Sequence, residues 1–359
     1  MLNTRRIRNV FSGYAVDGFL AQSNLFNITS IRISCCSVSI KAFIKPLIAI
    51  IWLLLLIWFI RWDQIMQTIR TADWRFAGVS LLLLPLNIYL QAVIWQMLVR
   101  RRFPEERFFQ SLGAILVGQT LGLFTPARLG DFVGRAYYLD HQNKWELAAL
   151  TGAQQLIALA CYIGFGIPAL LYFLMWHLRL HAFIWYLVLV AGIGTLLLLI
   201  TVFLHPRAVY RFIANRYPYP HLLKTFGFLR HLRLQDVYWL FGLTSLRYVV
   251  FSVQCLLVLY AFGAQIHWTN AVLAIALFFY ANSVIPSPAL AGLGVREGSA
   301  VFFMGFFGVP AAIAFSTSLL LYVINIVLPA IIGLPLVLRL KLGTTLSVER
   351  ALPKVNPPS

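Results

Sequence analysis

Two short segments hold the residue types best suited to chemistry in this chain. Thr125-Pro126-Ala127-Arg128-Leu129-Gly130-Asp131 and Ser287-Pro288-Ala289, continued by Leu293-Gly294-Val295-Arg296-Glu297, share a hydroxyl-Pro-Ala start. Each then carries Leu-Gly, a basic residue and an acid. A Ser or Thr N-cap followed by Pro at the first helical position signals a helix start. A helix amino terminus carries about half a positive charge, and its unpaired N–H groups attract anions. Arg128 and Arg296 add full charges there, and a guanidinium grips phosphate through paired hydrogen bonds. The spacing predicts a phosphate site between the two segments, lined by Arg128, Arg135 and Arg296. Asp131 is expected to pair across it with Arg296, and Glu297 with Arg128. Thr125, Pro126, Gly130, Ser287, Pro288, Gly292 and Gly294 would shape the two tips. The competing reading is that these charges are structural ion pairs holding the segments together.

Other polar residues lie inside apolar runs. Arg247 sits ten residues into the run 237–261, about 15 Å deep at 1.5 Å per residue. An unpartnered arginine facing lipid is costly, so Arg247 is expected to join the same polar site. Gln254 shares its helix face, Asn87 and Gln91 form an i, i+4 pair, and Asn282 and Asn325 lie in the last third. Interhelical hydrogen bonding is the plain reading of these amides. Gly113, Gly118, Gly122, Gly130 and Gly134 predict closely packed helices.

Catalytic and metal patterns are scarce. His177 and His181 are four apart but lack a third ligand, so no metal site and no cofactor are expected. No Gly-x-Ser-x-Gly elbow, Walker loop or paired-carboxylate motif occurs, and no catalytic residue is assigned. Asp63 and Asp73, beside Arg61, Arg70, Trp74 and Arg75, read as interfacial residues, although an intramembrane transferase could hold an acid there.

These residues need an apolar scaffold, and the composition provides one. Of 359 residues 60% are hydrophobic and 11% charged, with mean hydropathy +0.81. Soluble domains run about 45–50% apolar and 25% charged, so a multi-span membrane body is expected. Four cysteines cannot frame a disulfide scaffold; Cys161 and Cys255 lie in apolar runs, while Cys35 and Cys36 fit no secretory or lipoprotein signal. Clean spans are 43–60, 77–99, 147–175, 182–204, 237–261 and 311–338, against the roughly 20 residues a crossing helix needs. The stretches 108–140 and 269–308 are broken at the two tips, and each is either a single crossing or a hairpin returning to its own side.

Charge separates these options. The net charge is +18. With both broken stretches re-entrant and the amino terminus cytoplasmic, 21 Lys and Arg fall inside and 4 outside, the four being Arg61, Arg70, Arg75 and Arg179. With both crossing, the split is 15 to 10. The positive-inside bias favours the hairpins, entering from opposite faces as in inverted-repeat transporters. The organisation is then a basic cytoplasmic segment 1–42, one transmembrane domain 43–338, and a cytoplasmic tail 339–359. The segment 205–236 interleaves Arg207, Arg211, Arg216, Lys224, Arg230 and Arg233 with aromatics, reading as an interfacial stretch on anionic lipid rather than a nucleic-acid surface.

Gly122-Leu123-Phe124-Thr125-Pro126-Ala127-Arg128-Leu129-Gly130-Asp131 resembles the first signature of the lysylphosphatidylglycerol synthase transmembrane, or flippase-like, family. Pro286-Ser287-Pro288 through Gly292-Leu293-Gly294-Val295-Arg296-Glu297-Gly298 resembles its second, the likeness spanning about 45–338. It implies a polytopic domain moving a lipid headgroup, such as aminoacylated phosphatidylglycerol, between leaflets, some relatives serving beside aminoacyl or glycosyl transferases. Pro126, Arg128, Gly130 and Asp131 match the first signature and Gly294, Arg296 and Glu297 the second. Asp131 stands where Glu is usual, and Ala291-Gly292 where Gly-Gly is usual. The expectation is an all-α inner-membrane protein of six spans and two opposed re-entrant hairpins, with both termini cytoplasmic. It would act as a flippase for an anionic or lipid-linked headgroup. The alternative is an accessory subunit of a polar-lipid synthase or glycosyltransferase.

Overall fold

A computed structural model describes the chain from residue 60 to 351, apart from residues 61, 126, 140–142, 177–180, 218, 286–291 and 293. The expected span 43–60, the amino-terminal segment 1–42, Pro126, Ser287 and Pro288 therefore lie outside the described residues, apart from Ile60 at the span's end. Every regular element among the described residues is helical.

Helix α1 (Trp62–Arg70) leads into α2 (Trp74–Leu82) and α3 (Leu84–Arg100), joined end to end at Leu83 just before Pro85. A helical hairpin follows, α4 (Phe108–Leu123) and α5 (Leu129–Tyr138). The long α6 (Lys144–Trp176) and α7 (Ala182–Leu204) come next. Three short pieces then run through α8 (Pro206–Arg216), α9 (Pro220–Thr225) and a 3₁₀ turn at Gly227–Arg230. After α10 (Leu234–Ala261) comes the second hairpin, α11 (Trp268–Val284) and α12 (Val295–Phe306). The last run is α13 (Ala311–Tyr322), a π turn at Val323–Val327 and α14 (Leu328–Ala351).

Five runs are long and apolar enough to cross a bilayer: 74–100, 144–176, 186–204, 234–261 and 311–340. They match the five expected spans after residue 60. By contrast α4 and α11 have 16 and 17 residues. At 1.5 Å per residue they fall short of a 30 Å hydrocarbon core, and each turns back into a shorter partner. That is the hairpin form the charge balance favoured.

The hairpins pack at opposite ends of α6, and the two apolar cores around them share α6 and α10. One apolar core joins Trp95, Ile115, Ala136, Leu147, Ile157 and Leu240, enclosing the first hairpin. The other joins Phe173, Val258, Phe278, Met304 and Leu321 around the second. Helix α6 therefore gives its first half to one core and its last third to the other, and α10 does the same. Phe132 of α5 lies against Gly152, and Tyr280 of α11 against Gly166. These glycines are about 21 Å apart along α6 and bracket Tyr162.

Glycine makes the first hairpin tight. A Cβ at Gly134 would lie 2.9 Å from the Gly118 Cα, and one at Gly118 would lie 2.3 Å from the Asp131 Oδ1. A Cβ at Gly333 of α14 would lie 2.4 Å from the Leu116 carbonyl oxygen. Close backbone approach through small residues is the usual packing device between helices in lipid. Helix α7 packs on α6 yet leaves Phe183, Leu187, Val190, Leu197 and Leu198 exposed, a surface suited to acyl chains.

Candidate functional site

The tip of the first hairpin is built on an unusual backbone. Ala127 and Arg128 have φ of 51° and 56°, the left-handed region that non-glycine residues enter at about 1–2 kcal/mol each. Thr125 holds them there: its hydroxyl donates to the Leu121 carbonyl at 3.0 Å and accepts the Gly130 N–H at 2.7 Å. Only glycine fits at 130, because a Cβ would lie 2.2 Å from the Leu121 oxygen. The helix starts at Leu129, not directly after Thr125, and Arg128 occupies the N-cap. Thr125 still satisfies a helix donor, from three residues upstream of the N-cap.

At the second tip, Gly292 and Gly294 have φ of 86° and 89°, and α12 starts at Val295. Glu297 reaches back to accept the Gly294 N–H at 2.6 Å. This start lies beyond the expected Ser287-Pro288 signal. Backbone donors at Gly130, Asp131, Gly294 and Arg296 are all engaged within their own tips, so the helix ends offer fewer free N–H groups than expected. The positive charge these tips present is therefore that of the guanidinium groups.

The acids also pair differently from expectation. Asp131 holds Arg135 with both oxygens, at 2.7 and 2.8 Å, and Glu297 accepts from the Arg296 Nη2 at 2.9 Å. No pair runs from one tip to the other among the described ion pairs. In the first hairpin the cause is local geometry, since Arg135 lies four positions after Asp131, one helical turn away on the same face; in the second, Glu297 holds the Arg296 beside it in the chain. Arg135 is consequently saturated. Its Nη1 donates to Gln154 at 2.5 Å, its plane sits 5.0 Å from the Trp95 ring, and it is 2% exposed. It belongs to the hairpin's internal structure rather than to a ligand-facing wall.

Three arginines remain partly accessible. Arg247, midway along α10, donates to the Asn87 Oδ1 at 2.8 Å and the Gln91 Oε1 at 3.2 Å. Arg296 lies 4.4 Å over the Tyr322 ring, and its Nε is buried without a partner. Arg128 has no carboxylate partner among the described residues. It stands within Coulombic range of Arg247, Arg296, Tyr162 and Tyr322. Arg128 thus stands between Arg247 and Arg296 in electrostatic reach, while Arg135, also in range of Arg247, is closed off by its own partners.

An amide network supports this cluster. Asn87 donates to Asn325 in the π turn at 2.7 Å, while Gln254 and Ser80 exchange side-chain to backbone hydrogen bonds. Gln119 donates to the Gln91 Oε1 at 2.9 Å, and Gln154 to the Gln91 carbonyl at 3.3 Å. Ser299 donates to Asn282 at 3.2 Å. The amides named from the sequence are thus interhelical partners. Gln119, Gln154, Ser318 (whose hydroxyl donates to the Glu297 Oε1 at 3.4 Å) and Tyr322 are absent from the sequence reading, although a polar side chain inside an apolar run flags the first three.

The arginines and their partners lie on α3, α6, α10, α13 and the two short-armed hairpins, and the family comparison accounts for the whole of that body. A family model described as the lysylphosphatidylglycerol synthase TM region matches residues 43–333. The chain belongs to this family. A comparison with curated proteins finds no match. Both tips of this lysylphosphatidylglycerol synthase TM region lie within the match, as does every residue of the arginine cluster. Membership establishes a membrane protein linked to lipid modification or transport.

Proposed function

We propose that the protein is a lipid flippase in which a headgroup phosphate binds between the hairpin tips, gripped by Arg128, Arg247 and Arg296. The observation carrying this reading is the charge left over. Asp131 and Arg135 cancel, and Glu297 offsets one of three remaining arginines, so among the described residues two positive charges stand uncompensated between apolar helices. Charge at such depth is expensive and is kept where an ion passes or binds. An anionic headgroup supplies the missing charge while its tails stay in lipid along α7. Tips approaching from opposite ends of α6 suit alternating access, with one half hinging against the other.

The orientation follows from the positive-inside bias, which puts both termini and the basic segment 205–236 in the cytoplasm of a bacterial-type inner membrane. Arg207, Arg211, Arg216, Lys224, Arg230 and Arg233 are all exposed on that segment, while Phe228, Leu229 and Leu232 anchor it in the core, as expected of a stretch lying on anionic lipid.

Reconstitution into liposomes with an acyl-labelled anionic lipid tests the reading, using a membrane-impermeant quencher to report leaflet exchange. Exchange that is lost in Arg128→Ala and Arg296→Ala supports transport. Absence of exchange for every lipid tried overturns it in favour of an accessory subunit of a lipid synthase or glycosyltransferase.

A further inference from the structure

Resting on that reading, the placement of the acids defines which headgroup fits. The chain has 11 Asp and Glu. Among the described residues, Asp63, Asp73, Glu105, Glu106, Glu146 and Asp236 lie in first turns, caps or loops at helix ends. Only Asp131 and Glu297 lie within the hairpin tips. Both are closed to a ligand: Asp131 is 3% exposed with both oxygens on Arg135, and Glu297 is 0% exposed on Arg296, Gly294 and Ser318. Among the described residues a ligand ammonium would find no free carboxylate at the tips, and it would face two uncompensated positive charges.

We infer that the arginine cluster selects lipid phosphates whose headgroups carry no amine, favouring a doubly charged phosphomonoester or diphosphate over a phosphodiester, and rejecting aminoacylated headgroups. The donors fit that class. Arg296 has its Nε unpartnered and one nitrogen on Glu297, Arg247 has two nitrogens on amides, and Arg128 meets no carboxylate. Guanidinium nitrogens in a fixed fork bind several oxygens of one phosphorus, and a phosphomonoester presents one more terminal oxygen than a diester. A dianion also neutralises the cluster, whereas a phosphodiester leaves one charge over and an aminoacyl ester adds to the excess. Family membership alone would lead one to expect an aminoacylated headgroup. The arrangement of charge in this chain argues against one.

The test uses the full-length protein in phosphatidylcholine nanodiscs, titrated calorimetrically with dihexanoyl phosphatidic acid, dihexanoyl phosphatidylglycerol, the lysyl ester of the latter, and inorganic phosphate. The expected order is phosphatidic acid tightest, then phosphatidylglycerol, with the lysyl ester at least about tenfold weaker again. Arg128→Glu reverses a charge at a side chain without a carboxylate partner, so it should fold and shift the order towards the lysyl ester. A lysyl ester binding as tightly as phosphatidylglycerol overturns the selectivity while leaving a headgroup site standing. Failure of the wild type to bind any of the four overturns the site itself. Inorganic phosphate matching phosphatidic acid keeps the amine-free chemistry, assigns it to free phosphate, and overturns the lipid.

Discussion

The two hairpins carry the same residue types and use them differently. In the first, the acid is drawn one turn down its helix to Arg135, and the tip arginine is left without a carboxylate on a left-handed backbone. In the second, the acid caps its own helix and also holds the arginine beside it. The first tip offers a full charge, and the second offers one half-neutralised and already oriented over Tyr322. Two segments that match in composition thus divide the work. On the proposed reading, the first supplies attraction and the second supplies geometry. Sequence likeness between repeats does not carry over to which acid meets which base.

The largest effect should come from unpairing the first hairpin. Asp131→Ala strands a buried guanidinium and should cost about 3–5 kcal/mol, read as a large fall in thermal stability in detergent. Replacing both partners, Asp131→Leu with Arg135→Met, should recover most of the loss. If Glu297→Ala proves more damaging than Asp131→Ala, the contrast drawn between the hairpins is reversed.

Next come the tip glycines. Gly130→Ala drives a Cβ into the Leu121 carbonyl and should cost about 3 kcal/mol or more, whereas Gly292→Ala meets open space and should cost only about 1–2 kcal/mol for its positive φ. Equal losses at the two sites would mean that steric closeness is not what separates the tips.

Thr125→Val removes a hydroxyl that makes two bonds and should cost about 1–2 kcal/mol, with Thr125→Ser restoring most of it. The same pair should move ligand affinity, because the hydroxyl braces the backbone turn that carries Arg128. A stability loss without any affinity change would detach the backbone from the binding role.

The smallest stability effect is expected at Arg128 itself. Arg128→Gln should stay within about 0.5 kcal/mol of wild type while abolishing anion binding. Arg296→Gln should lower both, since it also strips Glu297 of its cation. Matching behaviour in the two variants would erase the division of labour.

Much of the scaffold was legible beforehand, because hydropathy and span length are local quantities that lipid enforces on every residue. The five spans after residue 60, the two breaks and the glycine-packed arms all follow from composition and spacing. Arg128, Arg296 and Arg247 could be picked out because charge inside an apolar run is rare. Arg135 looked identical by that criterion, and nothing in its spacing revealed that Gln154 and Trp95 would enclose it. Gln154 lies 19 residues further along the chain, and Trp95 belongs to another helix. The first helix start differs from the expected Thr125-Pro126 start for a similar reason. Hydroxyl-Pro is a local preference, whereas the observed start at Leu129 depends on Thr125 bridging Leu121 to Gly130; Ser287 and Pro288 lie outside the described residues.

By itself the sequence determined that this chain lives in a membrane, where it bends back, and which charges lie deep, since transfer energy and backbone sterics act residue by residue. Tertiary structure alone decided which of those charges are neutralised. That depends on distances between side chains far apart in sequence, and in a low-dielectric interior an ångström or two separates a closed ion pair from an arginine still open to an anion.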